Sequence, residues 1–341
     1  MPRGGPSSKP QRGAAILTAM LTVTLVASLA AAALWQQWRA LEVETAQRAR
    51  VQSAWMLVGA LDWARLILRE DARSGGADHL GEPWAVPLEE ARLATFFAAE
   101  SSAAVSDDDV QQSFISGRIL DLQARLNVMN LVENGKASLP AVRQFAKLFD
   151  MLGLPERELA ALTENLRFAL DTSADNRSGV QAPLVPQRVE QLVWLGLSAR
   201  SVAQLAPYLT VLPLRTTVNL NTASAQVIYA SIAQLDMAGA RRLVTVRSLA
   251  HFQTLADAAK LLGDLSPQIG EGQHGVASRF FEVRGRLRLG PSTVMERSLV
   301  QRDGLDVKTL WRERIVGNSA GGVQASKGMA ADLATSPDSL Q

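Results

Sequence analysis

The chain of 341 residues contains no cysteine. That excludes disulfides, thiolate catalysis and thiolate metal sites, so an exported domain would have to fold by packing and hydrogen bonds alone. Only three histidines occur, His79, His251 and His274, without HxxxH or HExxH spacing, which argues against a zinc site. An excess of either charge is missing too. Against 33 Asp and Glu stand 35 Lys and Arg, a formal net charge of +2, too near zero to point to nucleic acid or an anionic surface. No nucleophile and base are paired by spacing, and no catalytic motif stands in its structural context, so no enzyme is expected. With 47% hydrophobic and 20% charged residues, the chain can fill one or two cores beyond any membrane segment.

Proline and glycine are scarce where it matters most. No Pro falls between Pro10 and Pro83, and Gly59 is the only Gly from Ala14 to Ser74. Within that stretch, Ala14 to Trp35 is a run of 22 residues without charge, Gly or Pro. A helix needs about 20 apolar residues to cross a hydrocarbon core. Arg3, Lys9 and Arg12 precede the run and no acid does, so the positive-inside bias keeps the N-terminus cytoplasmic and sends the rest across. Residues 36 to 73 are rich in helix formers. Leu34, Trp38 and Leu41, and then Leu57, Leu61, Ala64 and Leu68, recur at helical spacing. One helix is therefore expected from Ala14 to about Leu68, apolar all round at first and amphipathic afterwards. Three readings of its start remain open at this point: a cleaved secretory signal, a plain signal anchor, or a basic leader ending at Gly13 and cut before Ala14.

Ser74-Gly75-Gly76 is a helix stop, and Asp78 to Ala85 (DHLGEPWA) reads as a loop whose Trp84 plugs the edge of a core. Asp107-Asp108-Asp109 reads as a solvated turn. Leu120, Leu122, Ala124, Leu126 and Val128 alternate with polar residues, which predicts a half-buried strand. Phe281 to Leu289 alternates likewise, Thr293 to Gln301 follows, Asp303-Gly304 is a hairpin signal, and Leu305 to Val316 is a last strand. The late strands form an antiparallel meander that the early strand joins. Residues 133 to 276 read as about seven short helices set inside this frame. Residues 317 to 341 are aperiodic, with the composition of a disordered tail.

Three features could carry chemistry. Val218 to Ser224 (VNLNTAS), with the two short helices after it, resembles a helix-hairpin-helix unit of DNA-uptake proteins. There a Gly-x-Gly hairpin presents N–H groups to a phosphate. Here the hairpin has no Gly pair and carries Asp236, which would repel a phosphate; the bland reading makes Asn221 and Thr222 helix caps. Arg279, Arg284, Arg286 and Arg288 make a basic strand face, read as a solvated sheet surface. Asp171, Asp175 and Asn176 in FALDTSADNRSG could offer oxygens to a hard cation such as calcium, although calcium takes 6–8 of them and a helix end with an Asx turn is the simpler account.

Taken together, Arg12-Gly13 before the apolar run, Ala54-Trp55, Gly59, DHLGEPWA, Gly117-Arg118-Ile119, Leu126-Asn127, Asn130-Leu131-Val132, Leu220 to Ser224 and Arg279 to Val283 resemble the type II secretion system protein K family of minor pseudopilins. The resemblance covers about residues 10 to 315. It implies an α+β pseudopilin fold, a long N-terminal transmembrane and amphipathic helix on a small antiparallel sheet, with a large inserted all-α domain holding a helix-hairpin-helix or SAM-like unit. The implied segments are a leader at 1–13, a membrane helix at 14–35, the helix and first part of the sheet at 36–132, the insert at 133–276, the closing strands at 277–316 and a tail at 317–341. It implies cleavage by the prepilin peptidase between Gly13 and Ala14, methylation of Ala14, and Thr18 at the fifth mature position where most pilin-like chains carry Glu. An acid inside a bilayer needs a partner, so a subunit without it suits a terminal place in a stack.

The implied partners are minor pseudopilins I and J, the major pseudopilin, other type II secretion components and membrane lipid along 14–35, with no nucleic acid. The implied place is the bacterial inner membrane, single-pass, with a periplasmic head. Calcium at Asp171 and Asp175 is the one cofactor it raises, and the family's acidic loop is shortened here between Asp175 and Pro186. A membrane-tethered nucleic-acid-binding protein is the alternative from another class.

Overall fold

The structure is a computed structural model that describes residues 12–92, 113–171, 182–289 and 292–318. Helix α1 runs Arg12–Ser74. The chain divides after Met56 into two compact units. In the first, every side chain from Ala14 through Arg48 is exposed, and the most apolar part of the helix has mean hydropathy 2.1 with none of it buried. By length and composition this segment can cross a membrane.

The second unit, residues 57–341, holds a five-stranded antiparallel sheet. Its strands are β1 (Leu88–Arg92), β2 (Ser113–Asp121), β9 (Phe280–Leu289), β10 (Ser292–Asp303) and β11 (Asp306–Asn318), and they lie in the order β1-β2-β9-β10-β11. Between β2 and β9 the chain forms β3 (Leu126–Asn127), β4 (Val132–Glu133), β5 (Lys136–Ala137), α2 (Leu139–Met151), α3 (Glu156–Ala169), α4 (Ala199–Leu205), β6 (Leu209–Thr210), β7 (Val218–Asn219), α5 (Ala225–Ser231), α6 (Met237–Leu249), α7 (Leu255–Lys260) and β8 (His274–Gly275).

Successive residues of a strand face opposite ways, and the two faces of this sheet serve two cores. Phe281, Val283, Ile119, Val300 and Val307 pack with Leu61, Ala64 and Leu68 of α1 and with Trp84. Phe280, next to Phe281, lies on the other face with Leu299, Leu122, Leu212 and Trp311. The expected stripe Leu57, Leu61, Ala64 and Leu68 is buried at every position. Gly117 and Gly285 face each other across β2 and β9. A Cβ on Gly285 would sit 3.2 Å from Leu57 Cδ2, and one on Gly117 2.9 Å from the Arg284 carbonyl. Hydrogen in place of a side chain lets the helix settle onto the sheet at Gly285 and lets β2 and β9 lie close at Gly117.

Three expectations need correction. The alternating stretch Leu120 to Val128 is not one strand: β2 ends at Asp121, and 3-10 turns follow at Leu122–Ala124 and Val128–Leu131. Asp121 Oδ1 takes the Gln123 N–H at 2.7 Å and Asn127 Oδ1 the Met129 N–H at 3.1 Å, so side chains bend the backbone where alternation suggested extension. The insert starts earlier than residue 133, because Leu126, Val128 and Leu131 are already buried in the helical core, and it carries the short pairings β3–β6, β4–β5 and β7–β8 beside its helices. The last strand continues past Val316 to Asn318. The closing meander and the helix stop at Ser74 stand as expected, and Gly75 and Gly76 take positive φ at that stop. Residues 1–11, the run Asp107-Asp108-Asp109, Asp175 and residues 319–341 lie outside the described residues.

Candidate functional site

The loop after α1 is where three parts of the second unit meet. Asp78 is buried, and its N–H donates to the Val276 carbonyl at 2.8 Å. Its carboxylate accepts from the Ser278 N–H at 2.6 Å and from Arg302 Nη2 at 2.5 Å. Arg302 also donates to Asp71 at 2.5 Å and to the Ser278 carbonyl at 2.8 Å, with its guanidinium 4.8 Å from the Phe281 ring centre. Glu82 Oε2 accepts the His79 N–H at 2.9 Å and Trp84 Nε1–H at 2.7 Å. Trp84 is 1% exposed and meets Phe281 edge-on, as the plug expected of DHLGEPWA. The Asp71, Asp78 and Glu82 carboxylates converge within 4.8 Å beside a cavity of about 250 Å³. Arg302 is the cation of this cluster. Burial, then Glu82 nearby, raises the Asp71 carboxyl against the pull of Arg302; burial raises Asp78 against the same guanidinium.

The second half of the junction is built on Asp121. Its Oδ2 accepts from Ser278 Oγ at 2.6 Å, Thr222 Oγ1 at 2.5 Å and Asn219 Nδ2 at 3.1 Å. Burial pushes this carboxyl up to about 6, against the donors from Ser278, Thr222 and Gln123. Asn219 also donates to the Asp78 carbonyl at 3.2 Å, and Asn221 exchanges hydrogen bonds with the Phe252 backbone at 2.8 and 2.9 Å. Strand β2, strand β9, the loop after α1 and the helical insert are therefore fixed by one buried polar network. Fully satisfied, such a network specifies a single docking arrangement.

The sequence placed different roles on these residues. Asn221 and Thr222 cap no helix: Ser224 caps α5, accepting from Val227 N at 3.3 Å. Asp236 caps α6 by accepting the Gly239 N–H at 2.7 Å, so a carboxylate already holds the amide a phosphate would need. Lys147 of α2 closes the hairpin with donations to the Ile232 and Leu235 carbonyls at 2.8 and 2.6 Å. The hairpin packs as a structural unit. On the basic strand face, Arg284 pairs with Glu282, Arg288 with Glu90 at 2.8 Å, and Arg279 with Asp303 at 2.6 Å. Burial works to raise the Glu282 carboxyl, and Arg284 and Arg297 outweigh it, leaving it below the ordinary range. Arg286 is exposed.

Thr18 donates to the carbonyls of Ala14 at 2.8 Å and Ala15 at 3.0 Å, so its hydroxyl is satisfied within its own helix. Gly13 and Ala14 lie in α1 as well. Asp171 follows α3 and is exposed; its proposed companion Asp175 lies outside the described residues. Asp121 and Arg302, which hold the junction, went unrecognised in the sequence. The signal that could have found them is the need of two buried Asn in NLNTAS for partners elsewhere.

The family model for type II secretion system protein K matches residues 124–214 and, in a second part, 218–276. The chain is 29% identical over 314 residues to the type II secretion system protein K of Pseudomonas aeruginosa, covering 86% of this chain and 89% of that protein. It is 26% identical over 336 residues to the protein K of Pectobacterium carotovorum subsp. carotovorum, covering 89% and 96%. A chain in the crystal structure of the GspK-GspI-GspJ complex from the type 2 secretion system of enterotoxigenic Escherichia coli has the same fold, with a TM-score of 0.61 at 21% identity, over 80% of this chain and 99% of that one. The second matched part meets the sheet at the junction built on Asp121, the relatives align along nearly their whole lengths, and the chain is similar throughout to type II secretion system protein K.

Proposed function

We propose that this chain is a minor pseudopilin that takes a terminal place in a periplasmic pseudopilus, with minor pseudopilins I and J as its direct partners, and so starts or caps the filament that moves folded proteins through the outer membrane. The observation that carries the reading is the pairing of an uncharged membrane helix with a large head. At Thr18 the side chain is bonded to its own helix and offers no carboxylate to a neighbour's amine. The head carries the helical insert on one face of its sheet, a bulk that would obstruct a further subunit stacked over it. The related chain from enterotoxigenic Escherichia coli is part of a GspK-GspI-GspJ complex, which supports the choice of partners. On the other face, Leu66 and Val86 are exposed beside an apolar groove of about 230 Å³, surface of the kind neighbouring helices cover.

The reading places the leader in the cytoplasm, the helix in the inner membrane, and the head in the periplasm, following the bases before the run. Prepilin peptidase would cut between Gly13 and Ala14. The role is mechanical rather than catalytic. Mass spectrometry of the mature protein from a secreting cell tests it first, with methylated Ala14 expected as the N-terminal residue. Co-purification with pseudopilins I and J, and loss of export when the gene is deleted, complete the expected result. A mature start near Leu34, or export unaffected by deletion, would overturn it.

A further inference from the structure

One polar side chain in the loop Asp78 to Glu82 is not used by the junction. The His79 imidazole lies flat on that of His251, in the loop between α6 and α7, with ring centres 3.7 Å apart and planes 10° from parallel. The stack ties the loop that leaves α1 to the helical insert. Both rings act as acceptors. The Gly81 N–H donates to His79 Nδ1 at 3.1 Å, and the Gln253 side-chain amide lies 2.7 Å from His251 Nε2, where it donates.

Both residues are partly exposed, so solvent protons reach them. In the His79 loop and beside it, Asp78 and Asp71 are engaged with Arg302 and Glu82 with Trp84. In the insert, Arg247 in the last turn of α6 is bonded to the Leu220 carbonyl, and Asp257 is taken by the Thr254 cap of α7. Two imidazolium rings 3.7 Å apart would repel each other, and each proton also removes an acceptor from Gly81 or Gln253.

We propose that the His79–His251 stack is a proton-sensitive latch, which holds the α6–α7 loop on the loop after α1 near neutral pH and releases it when both rings are charged. Histidine is the side chain whose charge changes between pH 5 and 8. The remaining histidine, His274, is buried and held neutral down to about 4, so it does not act in this window.

Hydrogen exchange of the full chain in detergent at pH 7.5 and 5.5, corrected for intrinsic rates, tests the latch. In the unaltered protein, the amides of residues 249–254 are expected to exchange about fivefold faster or more at the lower pH. β9 and β10 serve as the internal reference and should keep their protection. His79→Phe and His251→Phe retain a stacking ring without a titrating nitrogen, and in each the pH effect on 249–254 should vanish. Unchanged exchange in the unaltered protein, the same acceleration in both Phe variants, or an equal loss across β9 would each overturn the proposal. The last outcome would assign the effect to the Asp121 junction instead.

Discussion

Asp121 concentrates the cost and the specificity of this fold in one carboxylate. Its four donors come from Gln123 two residues on, from Asn219 and Thr222 of the insert, and from Ser278 before β9. Asp121→Ala would strand them in a dry site, and we expect a loss of roughly 3 kcal/mol in urea unfolding of the head. Its pH behaviour is best read together with that of His274. Burial raises Asp121 from 3.8 to about 6, so the folded state holds a proton the unfolded chain has lost. That contribution is fully present below about 3.8 and disappears as pH rises through 6. Burial lowers His274 from 6.5 to about 4, so its contribution is present above 6.5 and disappears as pH falls through 4. The two displacements are similar in size and opposite in sign, and they offset each other across the same interval. Asp121→Asn should unmask the histidine, giving a melting temperature that falls more steeply below pH 6 than that of the unaltered protein. A parallel pair of pH curves would show that Asp121 does not take up a proton there.

At the scale of elements, the pairing of β2 with β9 and the seating of α1 on the sheet depend on what is left out of these two strands. Gly117→Ala puts a methyl group 2.9 Å from the Arg284 carbonyl, a backbone atom that moves only if the strands do. We expect a loss of about 1–3 kcal/mol in thermal or urea unfolding. Gly285→Val presses on Leu57 Cδ2, the movable end of a side chain, and should cost less per atom added.

The same elements show what could be read beforehand. The stripe on α1 and the meander β9–β10–β11 were legible because each buries one face and keeps its period. β1 was not, since LEEAR presents no apolar face and exists only by pairing with β2. Leu120 to Val128 misled because its alternate residues serve different cores: Leu122 lies under β9, while Leu126 and Val128 belong to the insert. In NLNTAS the polar residues looked like caps, and their true partners, Asp121 and the Phe252 backbone, are brought near only by the fold. The junction was therefore out of reach of local pattern, although Trp84 as a core plug was not.

For the molecule as a whole, the two units answer to different solvents. From Ala14 to Trp35 the described side chains are exposed and uncharged, Leu25 at 57% and Leu29 at 63% among them, and only hydrocarbon would cover them. The head buries its own apolar residues in cores on both faces of its sheet and within the insert. Damage to one unit should therefore leave the other intact. Leu25→Arg places a guanidinium near the middle of the run, which costs about 3–4 kcal/mol relative to Leu on the insertion scale. The variant is expected to move from the carbonate-resistant membrane fraction to the soluble or degraded fraction. Thr18→Val removes only a hydroxyl bonded within its own helix and should stay with the membrane. A chain beginning at residue 40 keeps the whole of the second unit and should unfold in one cooperative step while remaining in solution. If that shortened chain aggregated or melted without cooperativity, the head would need the apolar run to fold, and the run would have to be counted as part of its core rather than as its anchor.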